Sequence, residues 1–486
     1  MKGEDLSSPE IPLQHNWYRS QAVYGMSALC VEGDKELQRI ERGSQNCFNP
    51  AAKKIAADTV FDIASITKTF TVATILRMIE SDEFAHFFPD KLNTKLKFFN
   101  QILKSRYPES EYVNTKLDKE DERISLQDLI VHTSGIGEIE EEDFYNKLLF
   151  ASGEFLAKPA DGKFLDVKRL PGEYGQFQYS DVGYELLGMV VSAIASSARQ
   201  KATSFGEMNR ELVIDRLNLK QTFTSDQVAL IDGETKIKDA PKQEVAQGYP
   251  CKSDGTLTKA QGFRRCMSTS AMYSSPSELC KFASRVFGDK VFSDGGLFEK
   301  QATIDLRNSH KVQYWENGKL SEGVLYGIGY VIYENQDGYE VRTHGAQTNG
   351  YCGRLSFRVS DGKVSCCLVV SEQLTPYFAR ALLDLDIKEG RIDNNDLQAK
   401  QYRLYELNQE LLHKYDKDEL LVALSNSGYQ TIFEDDQKIE DGNYESLRKE
   451  LHNLDLKKSS AAQYERGVKQ ASGKKLDTTQ EFVAEL

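Results

Sequence analysis

The sequence predicts an α+β fold: one antiparallel sheet flanked by helices, with a helical extension behind it. Three observations predict it. Strand-like segments lie near Ala22 and again up to Ser371, with helix-like segments between them, so both ends of one domain close a single sheet. The stretch Phe70 to Ile79 is apolar on more than one face, which marks a buried helix. After Gly390 the composition shifts to Lys, Glu, Gln and Ser, which separates a domain at 1–390 from a polar helical extension at 391–486.

The elements follow in order. Residues 1–20 are polar and read as irregular. Ala22–Val31 and a segment through Ile40 to Gly43 read as a hairpin around Glu32-Gly33-Asp34. The buried helix comes next. Residues 84–124 are charged and aromatic without a clear period and read as a surface insertion. Ile124–Val131 has helical spacing with Ser125 as N-cap. Residues 138–170 are acidic and mixed, a wall or lid. Pro171-Gly172 turns the chain toward Tyr179, ahead of a helix over Gly183–Ser196. Residues 208–224 continue the helical region, and a long loop runs to about Arg265. A helix starts near Ser275-Pro276, where proline suits the first turn. Tyr326–Tyr333 reads as one strand. Two further strands, Arg354–Val359 and Val364–Ser371, flank the turn Ser360-Asp361-Gly362, and Thr375–Ile387 reads as a helix. In the extension, Leu404, Leu407, Leu411 and Tyr415 give an amphipathic helix, and 457–479 reads as mobile.

With 486 residues and a net charge of −13, the chain can bury a large core, and nucleic acid or an anionic membrane surface is a poor main partner. The longest apolar run, Leu186–Ala195, is about half the roughly 20 residues a membrane span needs. The first six residues carry acids where a signal peptide needs cations, so a cytoplasmic location is expected; leaderless export through a signal in the polar C-terminal tail is the alternative. The eight cysteines form no Cys-x-x-Cys pair and read as buried reduced thiols. The seven histidines show no ligand spacing. No metal and no cofactor is expected.

The chemistry concentrates in Ser65-Ile66-Thr67-Lys68. Serine and lysine three residues apart share a helical face. A serine at the positive end of a helix has its own N–H free for an oxyanion. Burial disfavours the lysine's charge and would let it accept a proton near neutral pH. Ser-x-x-Lys recurs at Ser360–Lys363, Ser446–Lys449 and Ser472–Lys475, in a turn, a charged helix and a polar tail; none puts its lysine in an apolar setting. His132, in His132-Thr133-Ser134-Gly135, reads as a histidine at a helix end satisfied by backbone carbonyls. Tyr333 reads as a hairpin residue. Tyr179 precedes a buried helix, where a phenol can point into a cleft.

Three segments in order, Ser65-Ile66-Thr67-Lys68, Tyr179-Ser180-Asp181 and His344-Gly345-Ala346, resemble the active-site motifs of the penicillin-recognising serine hydrolases. The nearest branch is the class C β-lactamase-like group of DD-peptidases, D-aminopeptidases and family VIII-type esterases. The flanks Ile124–Gly135, Pro171–Gly188, Met272–Phe282, Tyr326–Tyr330 and Gly350-Tyr351 resemble it too, over about residues 17–388. The resemblance implies a β-lactamase/DD-transpeptidase-like fold with an all-helical subdomain and the site between the two. It implies Ser65 as acylated nucleophile, Lys68 as its proton partner and Tyr179 as second proton shuttle. It places the N–H groups of Ser65 and Gln347 in an oxyanion hole and His344 where substrate is steered. Asp181 stands where the family usually has Asn, and Ala346 where it usually has Gly. An ionised Asp181 only accepts; it could pair with Lys68 and hold it charged, or favour a substrate with a free ammonium.

Two readings follow. One is a serine hydrolase acting through an acyl-enzyme on a small ester, amide or peptide. The other is a catalytically inactive binding or scaffold protein whose extension, 391–486, engages a protein partner.

Overall fold

The computed structural model describes residues 25–46, 52–108, 122–136, 174–231, 234–238, 240, 243, 245–248, 268–292, 296–316, 319–334, 340–348, 350–370, 431–432 and 438–439. The chain divides into two units, Met1–Arg403 and Leu404–Leu486. In the second, the described residues are two short antiparallel strands, Thr431–Ile432 and Lys438–Ile439. The expected lid at 138–170, the helix Thr375–Ile387 and the helices of the extension lie outside the described residues.

The first unit opens with β1 (Gly25–Glu32) and β2 (Lys35–Gly43), the expected hairpin, with Gly33 at φ +60° in its turn. A two-residue strand, β3 (Phe61–Asp62), leads to a 3-10 turn over Ala64–Ile66 and then α1 (Thr67–Glu80). Every residue of α1 except Ile79 is buried, as the all-round apolar pattern predicts. Its threonines fit because their hydroxyls find acceptors: Thr69 donates to Ile66 O at 2.7 Å and Thr74 to Phe70 O at 2.9 Å.

Residues 84–108 are not a surface insertion. Phe84, Phe88, Leu92, Leu96, Phe99 and Leu103 are all in the core, one per turn through three 3-10 turns and α2 (Asn100–Arg106). The apolar residues recur every three or four positions, but charged residues between them mask the period. α3 (Leu126–Ile130) starts at Ser125, whose hydroxyl caps Asp128 N while the Asp128 carboxylate returns to Ser125 N at 2.8 Å. α4 (Asp181–Arg199) packs against α1, α2 and α3, and a short α5 (Phe205–Asn209) runs into a single π-helical turn, Arg210–Ile214. Part of the expected long loop is instead a hairpin, β4 (Val228–Ile231) with β5 (Glu234–Ile237). β6 (Tyr273–Ser274) pairs with β3, and α6 (Pro276–Val286) follows with Ser275 as N-cap.

After α7 (Gln301–Asn308) come β7 (Val312–Glu316), β8 (Lys319–Tyr326), β9 (Val331–Glu334), β10 (Glu340–Thr348), β11 (Tyr351–Arg358) and β12 (Lys363–Val369). The expected single strand Tyr326–Tyr333 is broken at residues 327–330, where Gly329 takes φ +87° and the Gly327 N–H bonds Tyr330 O. The sheet runs β2-β1-β12-β11-β10-β9-β8-β7, all antiparallel. β1 pairs with β12 from Met26 opposite Val369 to Glu32 opposite Lys363, so both ends of the domain meet in one sheet. α6 lies on the sheet, and Phe282 stacks on Phe70 of α1 at 3.8 Å between ring centres. Cys30, Cys280, Cys352, Cys366 and Cys367 are buried. Among the described residues no helix is long and apolar enough to cross a membrane.

Candidate active site

Ser65 sits on an elbow. Ala64, just before it, holds the left-handed φ of +41°, a strained conformation for a residue with a Cβ. The Asp62 carboxylate accepts the Ala64 N–H at 2.8 Å, and Met272 O accepts the Ile63 N–H at 3.0 Å, so the elbow is held from two sides. One turn on, Lys68 is wholly buried while the Asp181 side chain keeps 10% exposure.

Three functional side chains meet at Ser65. The Lys68 ammonium donates to Ser65 Oγ at 3.1 Å, to Asp181 Oδ1 at 2.5 Å and to Thr269 O at 3.2 Å. The Tyr179 hydroxyl donates to Ser65 Oγ at 2.9 Å. Lys68 Nζ also lies 4.8 Å from the ring centre of Tyr179 and 5.5 Å from that of Tyr184. A hydroxyl, an ammonium and a phenol from 114 residues away therefore meet at Ser65 Oγ.

The electrostatics decide between the two expectations for Lys68, a neutral base made by burial and an ammonium held by Asp181. Burial opposes the charge on Lys68, but Asp181 and Tyr179 more than offset it and hold the ammonium above the ordinary lysine range. Lys68 is a cation here, not the neutral base that burial alone would make. Burial raises the Tyr179 phenol, with Lys68 opposing. The Glu185 carboxyl, one turn beyond Asp181 on α4, is pushed up to about 7 by burial, against hydrogen bonding from Ser268. Its Oε1 has no partner among the described residues.

His132 was expected to be satisfied by backbone carbonyls, and it is placed otherwise. Its Nδ1 accepts the Ser180 N–H at 3.0 Å, and its own carbonyl accepts the Gln178 N–H at 2.7 Å. Its ring lies 4.4 Å from that of Tyr179. His132 thus grips residues 178 and 180 and packs its ring, tilted by 30°, against the phenol between them. An Nδ1 that accepts puts the ring proton on Nε2, and burial holds the neutral ring well below its ordinary pKa. Its φ of +60° is a second strained non-glycine position beside the site. The Thr269 carbonyl and the Ser180 amide were missed too; backbone groups carry no signature in a sequence.

β10 runs alongside the Ser65 turn. On it His344 is buried, with Nδ1 2.8 Å from Gly345 O and Nε2 3.4 Å from Tyr326 Oη. Burial depresses the imidazole to about 4, so it is neutral at physiological pH. Ala346 is buried against the Gly353 side of β11, whereas Gly345 and Gln347 are exposed. Among the described residues no cluster of His, Cys, Asp and Glu could hold a metal ion.

Comparison with known proteins agrees with this architecture. No curated protein sequence matches the chain. Among solved structures it is similar to the octameric penicillin-binding protein homologue from Pyrococcus abyssi, at 19% identity and TM-score 0.56, over 78% of this chain and 76% of that one. It is similar to the D-amino acid amidase from Ochrobactrum anthropi SV3, at 16% identity and TM-score 0.54, over 77% and 97%. A D-stereospecific amidohydrolase from Streptomyces sp. matches at 18% identity and TM-score 0.52, over 73% and 92%. At these identities the likeness is one of fold, a β-lactamase/penicillin-binding-protein-like sheet flanked by helices. The sequence itself matches the family Beta-lactamase over residues 13–373, about three quarters of its length, and the chain belongs to that family of serine hydrolases.

Proposed function

We propose that this protein is a serine hydrolase that forms an acyl-enzyme on Ser65 from a small ester, amide or peptide. The observation that carries the reading is Ser65 Oγ held between Lys68 Nζ at 3.1 Å and Tyr179 Oη at 2.9 Å. Lys68, held as an ammonium at rest, first gives one proton to solvent; the amine then takes the Ser65 proton as Oγ bonds to the acyl carbon. The carbonyl π pair moves onto oxygen, toward the N–H groups of Ser65 and Gln347. The C–X bond then breaks, Tyr179 protonates the leaving group, and the phenolate recovers a proton from the Lys68 ammonium. Water attacks the acyl carbon in the second half, its proton passes through Tyr179 to Lys68, and Ser65 leaves reprotonated.

Exposure to a fluorophosphonate probe, followed by intact mass and peptide mapping, tests the reading. One adduct on Ser65, absent in Ser65→Ala, is expected, with turnover of p-nitrophenyl acetate lost in Ser65→Ala and Tyr179→Phe. Undiminished turnover in Ser65→Ala removes the reading.

The second reading, a non-catalytic binding protein, is favoured by one observation: the Lys68–Asp181 pair keeps the base protonated. A protein that no serine probe labels, together with a stable complex lost on removing 391–486, would support it.

A further inference from the structure

We propose that Glu185 is a positioning residue for Lys68: it holds the Ser268-Thr269 segment so that the Thr269 carbonyl aims the lysine at Ser65. The inference rests on the hydrolase reading and adds to it a group that acts through another.

The aim follows from the bonds that Lys68 makes. An ammonium donates three, here to Asp181 Oδ1 at 2.5 Å, to Thr269 O at 3.2 Å and to Ser65 Oγ at 3.1 Å. The amine that takes the Ser65 proton has two N–H groups and one lone pair. With its N–H groups on Asp181 and Thr269 O, the lone pair faces Ser65 Oγ. A Thr269 carbonyl out of place frees one N–H, and the amine can then turn its lone pair away. The position of one backbone carbonyl therefore sets how well Lys68 serves as a base.

α4 fixes that carbonyl. Asp181, Glu185 and Gly188, four and then three residues apart, share one face of the helix. The chain at Ser268 lies against this face: a Cβ added at Gly188 would stand 2.3 Å from Ser268 Oγ. From α1, Thr71 donates to Ser268 O at 2.6 Å. The Glu185 carboxyl faces the Ser268 amide and hydroxyl and the Thr269 hydroxyl. It is buried, yet its Oε1 has no partner among the described residues. Glu80 is the contrast, a buried carboxylate bonded at both oxygens: Oε1 accepts from Glu299 N, Lys300 N and Thr303 Oγ1, and Oε2 pairs with Arg77. Glu185 is instead balanced between two states. Burial and Asp181 favour the acid, the donors of Ser268 and Thr269 favour the carboxylate, and the carboxyl is left pushed up to about 7. The carboxylate only accepts, and grips the segment; the acid gives up part of that accepting capacity. The charged groups on the elements packed against α4 are engaged elsewhere. Lys68 pairs with Asp181, Arg77 with Glu80, Asp128 accepts the Ser125 N–H, Glu207 accepts the Ser204 N–H, and Lys104 and Arg106 keep partial exposure.

The test follows labelling of Ser65 by a neutral fluorophosphonate on the full chain, from about pH 5.5 to about pH 8.5, in the wild type and in Glu185→Gln. Titration of Lys68 acts on both proteins, so the ratio of their rates isolates Glu185. That ratio is expected to climb from about one at the acid end to about tenfold at the alkaline end, the worth of one hydrogen bond to a charged group. Its midpoint should lie at about 7. Ser268→Ala removes a donor to the carboxylate, so the rise should move to higher pH. A ratio that is flat or falls with pH makes Glu185 a structural group only; it overturns the inference and leaves the hydrolase reading standing. No labelling of Ser65 in either protein at any pH removes both. If Glu185→Gln does not fold, Ser268→Ala against the wild type decides: a labelling profile displaced to higher pH supports the inference, and an unchanged profile overturns it.

Discussion

Two regions of the molecule bury cations, and they do so differently. Behind the sheet, Arg307 and Arg342 share Asp289. Arg342 also donates to Glu340 at 2.5 Å and to Phe287 O, and Arg307 to Val286 O and Asn308. The two guanidiniums, despite burial, hold the Asp289 carboxyl below the usual carboxylate range. Their acceptors are fixed and do not compete for one proton. At Ser65, by contrast, Lys68 divides three N–H bonds among a carboxylate, a carbonyl and a hydroxyl, and the hydroxyl is the group proposed to react. The first arrangement is over-determined and holds the sheet to its helices. The second is satisfied in one protonation state and poised to leave it.

Removing one member of the structural cluster should have the largest effect on stability. Arg342→Met leaves Phe287 O without its donor and takes one of two cations from a half-exposed Asp289, and is expected to cost about 3 kcal/mol, read as a lowered denaturation midpoint. Acid should come next. His344 titrates near 4 in the fold, against an ordinary value of 6.5. Between those values the unfolded chain holds the extra proton, so stability rises with pH and is lost as pH falls from about 7 to 4. The contribution is about 3 kcal/mol, and His344→Gln should flatten that slope in melts taken at each pH.

His132→Phe keeps a ring on Tyr179 but leaves the Ser180 N–H without its acceptor, at a cost of about 1–2 kcal/mol. Labelling of Ser65 should slow, and His132→Asn, which can place an oxygen near Nδ1, should recover part of it. The smallest change in stability separates the two regions most clearly. Replacing the pair as Lys68→Met with Asp181→Asn should leave the melting midpoint unchanged or slightly raised, since a neutral, well-packed substitute avoids burying charge. Reaction at Ser65 should disappear.

How much was legible in the sequence follows the same division. The all-round apolar pattern after Ser65 identified α1 as buried, Ser125 marked one helix start through its cap, and Pro276 marked another through its place in the first turn. The strand-like ends of the domain foretold a sheet closed by β1 and β12. What failed were patterns with mixed periods. Residues 84–108 hide core positions among charges, and Tyr326–Tyr333 reads as continuous strand because its glycine bend lies among β-formers. At the site, the motif spacing marked Ser65, Lys68 and Tyr179. Whether Asp181 holds Lys68 charged stayed open between two readings until the 2.5 Å approach across 113 residues decided it, and the grip of His132 runs through backbone groups.

The pairing of β1 with β12 also sets a timetable. Ser65 and Lys68 leave the ribosome early, yet the strand that completes the sheet beside β1 is not synthesised until Val369. Long-range strand pairing of this kind is slow to form and cannot begin on a partial chain. Ser65 and Lys68 therefore precede Tyr179, Asp181, Thr269 and β10 in synthesis, and the sheet beside β1 closes only when β12 docks.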